Sequence, residues 1–540
     1  MPSLPPELWS LVINLLRHRD QIKCLSVSKM HHDIAFSSVF SHVRVTFGLW
    51  IWRPMMSDRA RVHPSSNEQE CMTRRNYTTL DVLRAISSRP DLAEVITRFT
   101  VYACDLEDSG NSTEQLENLR AALEVLPNLQ VFHWYGQRPE PSSAVFNALE
   151  AQSATTLTEI RLPMLEKYYM RALPPQLYHF PNLRSLSMIK QASWNGPGHN
   201  IYEIVTTLVD VRTEILAHLS ISGDVRQWRR ESFSGLRELE LIFTMVFGLG
   251  GFADVLRDCP SLTSLTLLPV DIADPADIFP AFGAHPHALP GLTAFKYLKQ
   301  AEAEPPTTPE HVAALCEFLK NKRHLRQLDV ALQAEDREDD PLFELLRELP
   351  ALEVLGFDFT RADWTPSDDI AFFERVIPAR LSALRVGQLV LVHEPDLCAS
   401  YRAEWLKLFK SRTSLRYLHI FESFIEPPET ETALRLRQLP IEELPASLEL
   451  YGYGLYMHPV VREPLDAGSN SDAPRATFGP CWPLEKVVFR TKEDFECPDW
   501  EWLLRWHDYP GLDMLRPSVL PNGPPLMLNP DIPLLHGSSS

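Results

Sequence analysis

Residues 262–267 read LTSLTL, and residues 325–330 and 415–420 read LRQLDV and LRYLHI. Each stretch has apolar side chains at its positions 1, 4 and 6, whereas positions 3 and 5 are mostly polar. Side chains alternate between the two faces of an extended strand, so positions 4 and 6 share one face and positions 3 and 5 the other. The pattern predicts short strands that bury one face and leave the other solvated.

The same pattern recurs along most of the chain. Its thirteen copies begin at Leu129, Leu157, Leu183, Leu216, Leu236, Leu262, Leu292, Leu325, Leu352, Leu384, Leu415, Leu448 and Leu484. The steps between them range from 20 to 36 residues, and such a loose period of about thirty residues is typical of a solenoid of stacked repeats. Helix-like stretches separate the strands, for example residues 114–126, 311–319 and 341–349. Each unit is therefore predicted as strand, turn, helix and return.

This organisation resembles the leucine-rich repeat. The resemblance spans residues 95–490 and implies an α/β solenoid with a parallel sheet on its concave side and helices on its convex side. The asparagine that normally follows the strand in this family is missing from nearly all units. The alternative is an ordinary α/β domain with leucine-rich strands, which does not account for thirteen similar units.

Residues 4–45 form a separate block of short apolar segments. The first segment has apolar residues at the i, i+3, i+4, i+7 and i+8 spacing, which makes one wide stripe on a helix. These residues are Leu8, Leu11, Val12, Leu15 and Leu16. Asp20 and Ser28 are candidate N-caps of a second and a third short helix. Because folds of about forty residues rarely stand alone, this block is expected to need a partner surface.

The N-terminal block resembles an F-box in its spacing Leu4-Pro5-x-Glu7-Leu8, then Val12-Ile13 and Leu16, then Ile22, Leu25 and Val27-Ser28-Lys29. The resemblance implies that the block binds the small adaptor subunit of an SCF-type ubiquitin ligase and, through it, the cullin. The adaptor-binding residues that it implies are Leu4, Pro5, Leu8, Val12, Leu16, Leu25 and Val27. One departure is His31, near the point where the family often has a tryptophan. The alternative is an ordinary helical cap on the repeats.

The composition limits the kinds of binding partner and the cellular compartment that we expect for this protein. The 540 residues include 52 basic and 71 acidic side chains, and the resulting net charge of −19 argues against a nucleic-acid surface. The sequence contains no run of 18 or more apolar residues, so it does not predict a membrane-spanning helix. The eight cysteines lie far apart without a C-x-x-C pair and are interpreted as reduced thiols. We therefore expect a soluble protein of the cytoplasm, the nucleus or both, with protein partners.

The remaining motifs do not predict catalysis or cofactor binding. Residues 248–251 read GLGG, but neither a third spaced glycine nor a lysine completes a phosphate-binding loop. The histidines of residues 285–287 lack further ligands at metal spacing, and the acidic run 335–340 lacks the central glycine of a calcium loop. A nucleophile elbow is also missing. We expect no enzyme activity, no metal and no cofactor.

The sequence also suggests how the chain is divided and which face binds a target. The predicted parts are an F-box (1–46), a polar loop with the N-terminal cap of the solenoid (47–94), the solenoid (95–490), a C-terminal cap helix with Trp500, Trp502 and Trp506 (491–516) and a flexible proline-rich tail (517–540). Positions 3 and 5 of the repeats are predicted to form a solvated concave surface. Its candidate target-binding residues are Glu159, Arg161, Glu238, Glu240, Gln327, Asp329, Tyr417 and His419.

Two functions fit these features. The first is a substrate receptor of an SCF-type ubiquitin ligase, which docks the adaptor through the F-box and holds a protein target through the repeats. Its contribution would be proximity, because the transfer of ubiquitin takes place on other subunits. The alternative is a leucine-rich-repeat scaffold for protein–protein interaction with no ligase role.

Overall fold

A computed structural model describes nineteen stretches of the chain. They are residues 5–16, 18–48, 66–104, 112–164, 175–190, 215–221, 234–244, 252–269, 278–298, 307–332, 340–358, 366–387, 395–421, 441–454, 456–462, 476–482, 486–487, 495 and 497–507. The chain divides into two compact units, whose main segments are Met1–Ile221 and Ser222–Gly511. Each unit is described by itself.

The first unit begins with three short helices that pack on one another. They are α1 (Pro6–Leu15), α2 (His18–Cys24) and α3 (Lys29–Phe40). Proline suits the start of α1, because its missing N–H would be unpaired there in any case. Ser28 caps α3 as predicted, since its hydroxyl accepts the backbone N–H of His31 at 3.3 Å. Asp20 is not a cap, because α2 begins two residues before it.

Six parallel strands follow in chain order in the first unit. They are β1 (His42–Gly48), β2 (Arg98–Cys104), β3 (Val131–Arg138), β4 (Glu159–Met164), β5 (Ser185–Lys190) and β6 (His218–Ile221). The helices between them are α4 (Ser66–Ser88), α5 (Pro90–Val95), α6 (Ser112–Leu123), α7 (Ser143–Ser153) and a 3₁₀ turn at Pro175–His179. Each return from helix to strand therefore adds one parallel strand to the sheet.

The sheet begins earlier than the predicted solenoid boundary at residue 95. β1 pairs in register with β2, so that Val45 lies beside Val101. The region predicted as a polar loop with a cap, residues 47–94, is helical at Ser66–Ser88, and its residues 49–65 lie outside the described part of the chain. The first half of α4 is polar, so the sequence pattern did not predict a helix here, although the helix buries Leu83 and Ile86.

The second unit continues the same strand–helix alternation. Its strands are β7 (Glu238–Thr244), β8 (Ser264–Pro269), β9 (Ala294–Leu298), β10 (Gln327–Ala331), β11 (Val354–Asp358), β12 (Ala383–Gly387), β13 (Tyr417–Phe421), β14 (Leu450–Tyr453), β15 (Tyr456–Arg462) and β16 (Ala476–Phe478). β7 to β14 are parallel neighbours, whereas β15 and β16 add antiparallel pairs. Antiparallel hairpins need no crossover helix, so the repeat ends at β14.

Most helices of the second unit lie in the connections between strands, and the last one follows the final strand. They are α8 (Phe252–Asp258), α9 (Ile278–Ala284), α10 (Pro309–Lys320), α11 (Asp340–Leu345), α12 (Pro366–Val376), α13 (Pro395–Lys410) and α14 (Pro498–Leu504), with 3₁₀ turns at Leu346–Glu348 and Ile441–Glu443. α10 carries a complete capping box between Thr308 and His311. Such a box pairs two backbone N–H groups that would otherwise lack acceptors.

The core of the repeats is formed by the predicted apolar positions. In the unit that starts at Leu325, the side chains of Leu325, Leu328 and Val330 are all buried between the sheet and the helices. The described strands therefore confirm the predicted fold class, a mixed α/β leucine-rich-repeat solenoid with a parallel sheet.

Two of the thirteen predicted units differ from the structure. The strand β12 takes its first core position from Leu381 instead of Leu384, because Leu381, Leu384 and Val386 fit positions 1, 4 and 6 of the stretch LSALRV. The unit predicted at Leu484 is wrong where it is described, since residues 486–487 form a helical turn. Leucine spacing alone could not distinguish the register that begins at Leu381 from the one that begins at Leu384.

Candidate functional site

The first candidate surface is the α1 stripe, which we define as Leu8, Leu11, Val12, Leu15 and Leu16. All five side chains are exposed, and Leu11 and Leu15 keep 62% and 87% of their accessible surface. The only residue of α1 that is fully buried is Ile13. An amphipathic helix normally turns its apolar stripe toward the core, so α1 shows the opposite arrangement.

The predicted adaptor-binding residues lie on or near this stripe. Leu8, Val12 and Leu16 belong to it, Pro5 and Val27 are exposed, and Leu25 is half-buried. Leu4 lies outside the described residues. The contacts among α1, α2 and α3 hold these positions on one small helical block.

Two side chains fix the geometry of the block. The Gln21 amide donates to the carbonyl oxygens of Ile13 and Leu16, both at 3.1 Å, and so satisfies the C-terminal end of α1. His31, where the F-box pattern often has tryptophan, packs edge-on against Trp9 with ring centroids 4.7 Å apart. The tryptophan of the α1–α3 contact is therefore Trp9 of α1, and α3 contributes the histidine.

The second candidate surface is a row of side chains across the second unit. It is formed by position 5 of each repeat, and strand register places each member beside the next. This position-5 row consists of Glu240, Thr266, Lys296, Asp329, Gly356, Arg385, His419 and Gly452. The charged members of the row alternate in sign. Opposite charges on neighbouring strands attract each other, as Lys296 and Asp329 do here.

The C-terminal segment, defined as residues 497–507, lies on this row. It contains α14, which packs against β11 and β12. Gly356 makes the approach possible, because a Cβ there would lie 2.8 Å from Cδ1 of Leu503. The segment ends in a left-handed turn at Trp506, whose φ is 73°. A residue other than glycine rarely adopts this conformation.

Ion pairs anchor both ends of the C-terminal segment. The Arg326 guanidinium donates to both carboxylate oxygens of Asp499, with Nη1 2.9 Å from Oδ2, and Gln327 donates to the same carboxylate at 2.8 Å. At the other end Arg505 donates to Glu240 at 2.8 Å. Arg505 also bonds Glu501 within α14.

Lys296 binds the backbone of the segment. Its ammonium group donates to the carbonyl oxygens of Trp502, Leu503 and Arg505 at 2.6, 3.2 and 2.8 Å. It also lies 2.9 Å from Oδ2 of Asp329. The last carbonyls of a helix have no partner within the helix and carry partial negative charge, so a buried cation is well placed there.

The buried charges of the row have shifted pKa values. Burial lowers the pKa of Lys296 to about 8, although Asp329 partly opposes this shift. Burial alone would raise the pKa of Asp329, but the hydrogen bond from His507 and the charges of Lys296 and Arg385 outweigh it and hold that pKa low. Burial and the charge of Arg385 lower the pKa of His507, whose Nε2 lies 2.5 Å from Asp329. Neutral His507 therefore donates to ionised Asp329.

Apolar contacts fill the middle of the interface. Trp500 stacks on Tyr417 with ring centroids 5.6 Å apart, and Trp502 lies under the Lys296 ammonium at 4.6 Å. Leu503 and Leu504 complete the buried cluster with the first residues of several strands. The predicted role of the tryptophan helix as a seal on the last repeat is therefore wrong, because α14 lies across the face of the sheet.

The prediction of a solvated concave surface is also wrong in the second unit. Asp329, Tyr417 and His419 are fully buried. His419 bonds the carbonyl oxygen of Gly454 at 2.7 Å, while Gln327 and Glu240 bind the C-terminal segment. The alternation of side chains along a strand correctly placed these residues on one face of the sheet. The C-terminal segment that covers this face lies about 80 to 265 residues away in the sequence, so the repeat pattern could not predict it.

The first unit holds two of the remaining predicted target-binding residues. Glu159 accepts a hydrogen bond from His133 at 2.8 Å, and the Arg161 guanidinium lies 4.6 Å from the ring centre of Tyr135. Tyr135 in turn stacks on Tyr102. Glu238, on β7 in the second unit, is half-buried.

Two charged residues of the position-5 row, Lys296 and Arg385, were not among the predicted target-binding residues. Lys296 stands at position 5 of the unit that starts at Leu292, so the repeat pattern was sufficient to find it. Arg385 was missed because the unit was aligned on Leu384 instead of Leu381. Arg385 bonds Asp358 at 2.6 Å, next to the carboxylate of Asp329.

Neither a metal-binding cluster nor a membrane-spanning helix is present among the described residues. They contain no group of three or more histidine, cysteine or acidic side chains that could hold a metal ion. Within the same residues, no helix is long and apolar enough to span a bilayer. The GLGG stretch and most of the acidic run at 335–340 lie outside them. Burial raises the pKa of Cys259 to about 12, which keeps this thiol protonated.

Comparison with known proteins yields fold likenesses only. No family model and no curated protein sequence matches the chain. One similar solved structure is that of the TLR13–ssRNA13 complex, with 14% identity, a TM-score of 0.24 and coverage of 69% of this chain and 55% of that one. Another is the Toll–Spatzle complex from Drosophila, with 12% identity, a TM-score of 0.27 and coverage of 63% and 46%. The chain thus spans about half the length of the solved chains that it matches.

Proposed function

We propose that this protein is a substrate-recognition subunit of an SCF-type ubiquitin ligase. In this function α1 to α3 act as an F-box that binds the ligase adaptor, and the solenoid binds a protein target. The protein itself performs no chemistry and needs no cofactor. It places the target near the subunits that transfer ubiquitin, in the cytoplasm, the nucleus or both.

The observation that supports this function most strongly is the exposed α1 stripe. Five large apolar side chains on one short helix are costly to leave in water, since burying a leucine contributes roughly 1.5 to 3 kcal/mol. A contiguous exposed apolar surface on an otherwise polar protein usually marks an interaction site. The stripe also coincides with residues that the F-box resemblance assigns to adaptor binding.

A helix that served only as a cap on the repeats would behave differently. It would turn the stripe inward to cover the open end of the core, as terminal repeats generally do. In α1 only Ile13 is fully buried. The scaffold function without ligase activity remains the alternative, and adaptor binding separates the two.

The test is co-purification of the full chain with the small SCF adaptor. We expect a stoichiometric complex with the wild type and at least tenfold weaker binding by a Leu8→Asp, Leu15→Asp variant, because each aspartate places a charge in an apolar contact. Asn14→Asp is the matched control, since it adds a charge to an exposed position of α1 outside the stripe. All variants should keep the wild-type melting temperature, because the substituted side chains are exposed.

A wild-type chain that is well folded but does not bind the adaptor would contradict the ligase function and favour the scaffold. Equal loss of binding in the Asn14→Asp control would mean that the helix, and not the stripe, is affected.

A further inference from the structure

The C-terminal segment makes contacts of the kind that proteins use to hold a peptide. Opposite charges fix its two ends, with Arg326 on Asp499 and Glu240 on Arg505. Aromatic side chains fill the middle, with Trp500 on Tyr417. Charged ends around an aromatic centre are the usual anatomy of a recognition interface.

Part of this recognition does not depend on the side chains of the segment. Lys296 binds three backbone carbonyl oxygens at the end of α14. Any short helix that ended at the same place would offer the same acceptors. Lys296 therefore selects a helical conformation, while Arg326 and Glu240 select charges.

α14 also has the properties of a segment that becomes ordered on binding. Its seven residues are far fewer than an isolated helix needs to be stable in water. Its order therefore comes from the face on which it lies, as in coupled folding and binding.

The face beneath the segment combines apolar residues with buried charges, which are unusual in a permanent core. Lys296, Asp329 and Arg385 are buried there with Glu501 and Arg505 above them. Burying charges carries a large desolvation cost, and apolar side chains of similar volume are often more stable. Charges are favoured on a surface that is exposed to water for part of the time.

The geometry points to the face of β7 to β13 as a peptide-binding surface that the chain's own residues 497–507 occupy in cis. The partner that fits is a protein segment of the same chemistry. It begins a short helix with an acidic residue, carries aromatic residues one and three positions later, and has a cation six positions after the acidic residue, as Asp499, Trp500, Trp502 and Arg505 do. This inference rests on the target-binding part of the proposed function and is independent of adaptor binding.

The first test is binding of a peptide in trans. The probe is a fluorescent peptide with the sequence of residues 495–507, FECPDWEWLLRWH. A tethered segment acts at an effective concentration of about 1 mM, so the wild-type chain should bind this peptide weakly. A full-length variant with Asp499→Arg and Arg505→Glu, which leaves the sheet face unchanged but repels its own segment, should bind the peptide at least tenfold more tightly.

The control peptide carries the same two charge reversals and should bind this variant at least tenfold more weakly than the wild-type peptide. A folded variant that shows no gain in peptide binding would overturn the inference and make the segment a fixed part of the core. The assay contains no adaptor, so its failure is distinct from failure of the F-box proposal.

The second test needs no substitution and therefore holds even where the variant does not fold. In the wild-type chain, amide hydrogens of residues 500–505 should exchange at least tenfold faster than those of β10 to β12, because the segment leaves the face without unfolding of the strands. Equal protection of the segment and the strands would overturn the inference, since the segment would then open only together with the sheet.

Discussion

His507 shows how one buried side chain couples the end of the chain to the sheet. It follows the left-handed turn at Trp506 and donates to Asp329, which also pairs with Lys296. A carboxylate with two cationic or donor partners remains ionised even when it is buried. One contact between the C-terminal segment and the sheet therefore involves a residue that can take up a proton as the pH falls.

The pH dependence of stability follows from the lowered pKa of His507. The unfolded chain takes up a proton near pH 6.5 and the folded chain only at lower pH, so stability is lost as the pH falls below about 6.5. The substitution His507→Gln would keep an N–H donor for Asp329 without a titrating group. We expect the unfolding free energy of the wild type to fall by about 1 to 2 kcal/mol more than that of His507→Gln between pH 7.5 and pH 5.

Urea unfolding at several pH values measures this difference. The remaining carboxylates and histidines are common to both chains, so their contributions cancel. Identical pH profiles would mean that His507 titrates equally in the folded and unfolded chains, contrary to its burial in the folded chain.

For the individual strands and helices, part of the structure could be predicted from the sequence. Strands and their buried faces follow from positions 1, 4 and 6, and Ser28 predicted the start of α3. The pattern could not predict that α14 lies on the polar face, because strand alternation only separates two faces and does not identify what covers each of them. It also missed β1 and β2, whose units have Phe40 and Ile96 in place of the leading leucine.

Gly356 is the position where the approach of α14 to the sheet can be tested. A Cβ there would lie 2.2 Å from Oδ1 of Asp329 and 2.8 Å from Leu503, and both neighbours are buried. We expect Gly356→Ala to lower the unfolding free energy by about 1 to 3 kcal/mol, the usual cost of overpacking. The measurement is urea unfolding followed by tryptophan fluorescence.

Gly283→Ala is the matched control. Gly283 lies on the exposed side of α9, and its added Cβ would meet only Ala314 at an ordinary distance of 3.5 Å. Alanine in a helix restricts the unfolded chain and should stabilise the protein by about 0.4 to 1 kcal/mol. Equal effects of the two substitutions would mean that space beneath α14 is not limiting.

At the scale of the whole molecule, the second unit combines two kinds of connection. Stacked repeats contact only their neighbours, so a plain solenoid behaves as a chain of locally coupled units. The C-terminal segment adds contacts that join β7, β9, β10 and β13 directly, through Glu240, Lys296, Asp329 and Tyr417. Strands that are far apart in the sheet are therefore held by one element.

This arrangement predicts cooperative unfolding of the second unit. With the segment in place, amides of β9 and of β13 should lose protection over the same range of urea concentration, because both strands lose the contacts of the segment when it leaves the face. In an Asp499→Asn, Arg505→Gln variant, which keeps both side chains polar but removes their ion pairs, the two strands should lose protection at different urea concentrations. Hydrogen exchange at increasing urea measures this strand by strand. If β9 and β13 stay coupled in the variant, their cooperativity comes from the repeats alone, and the segment adds stability without joining the strands.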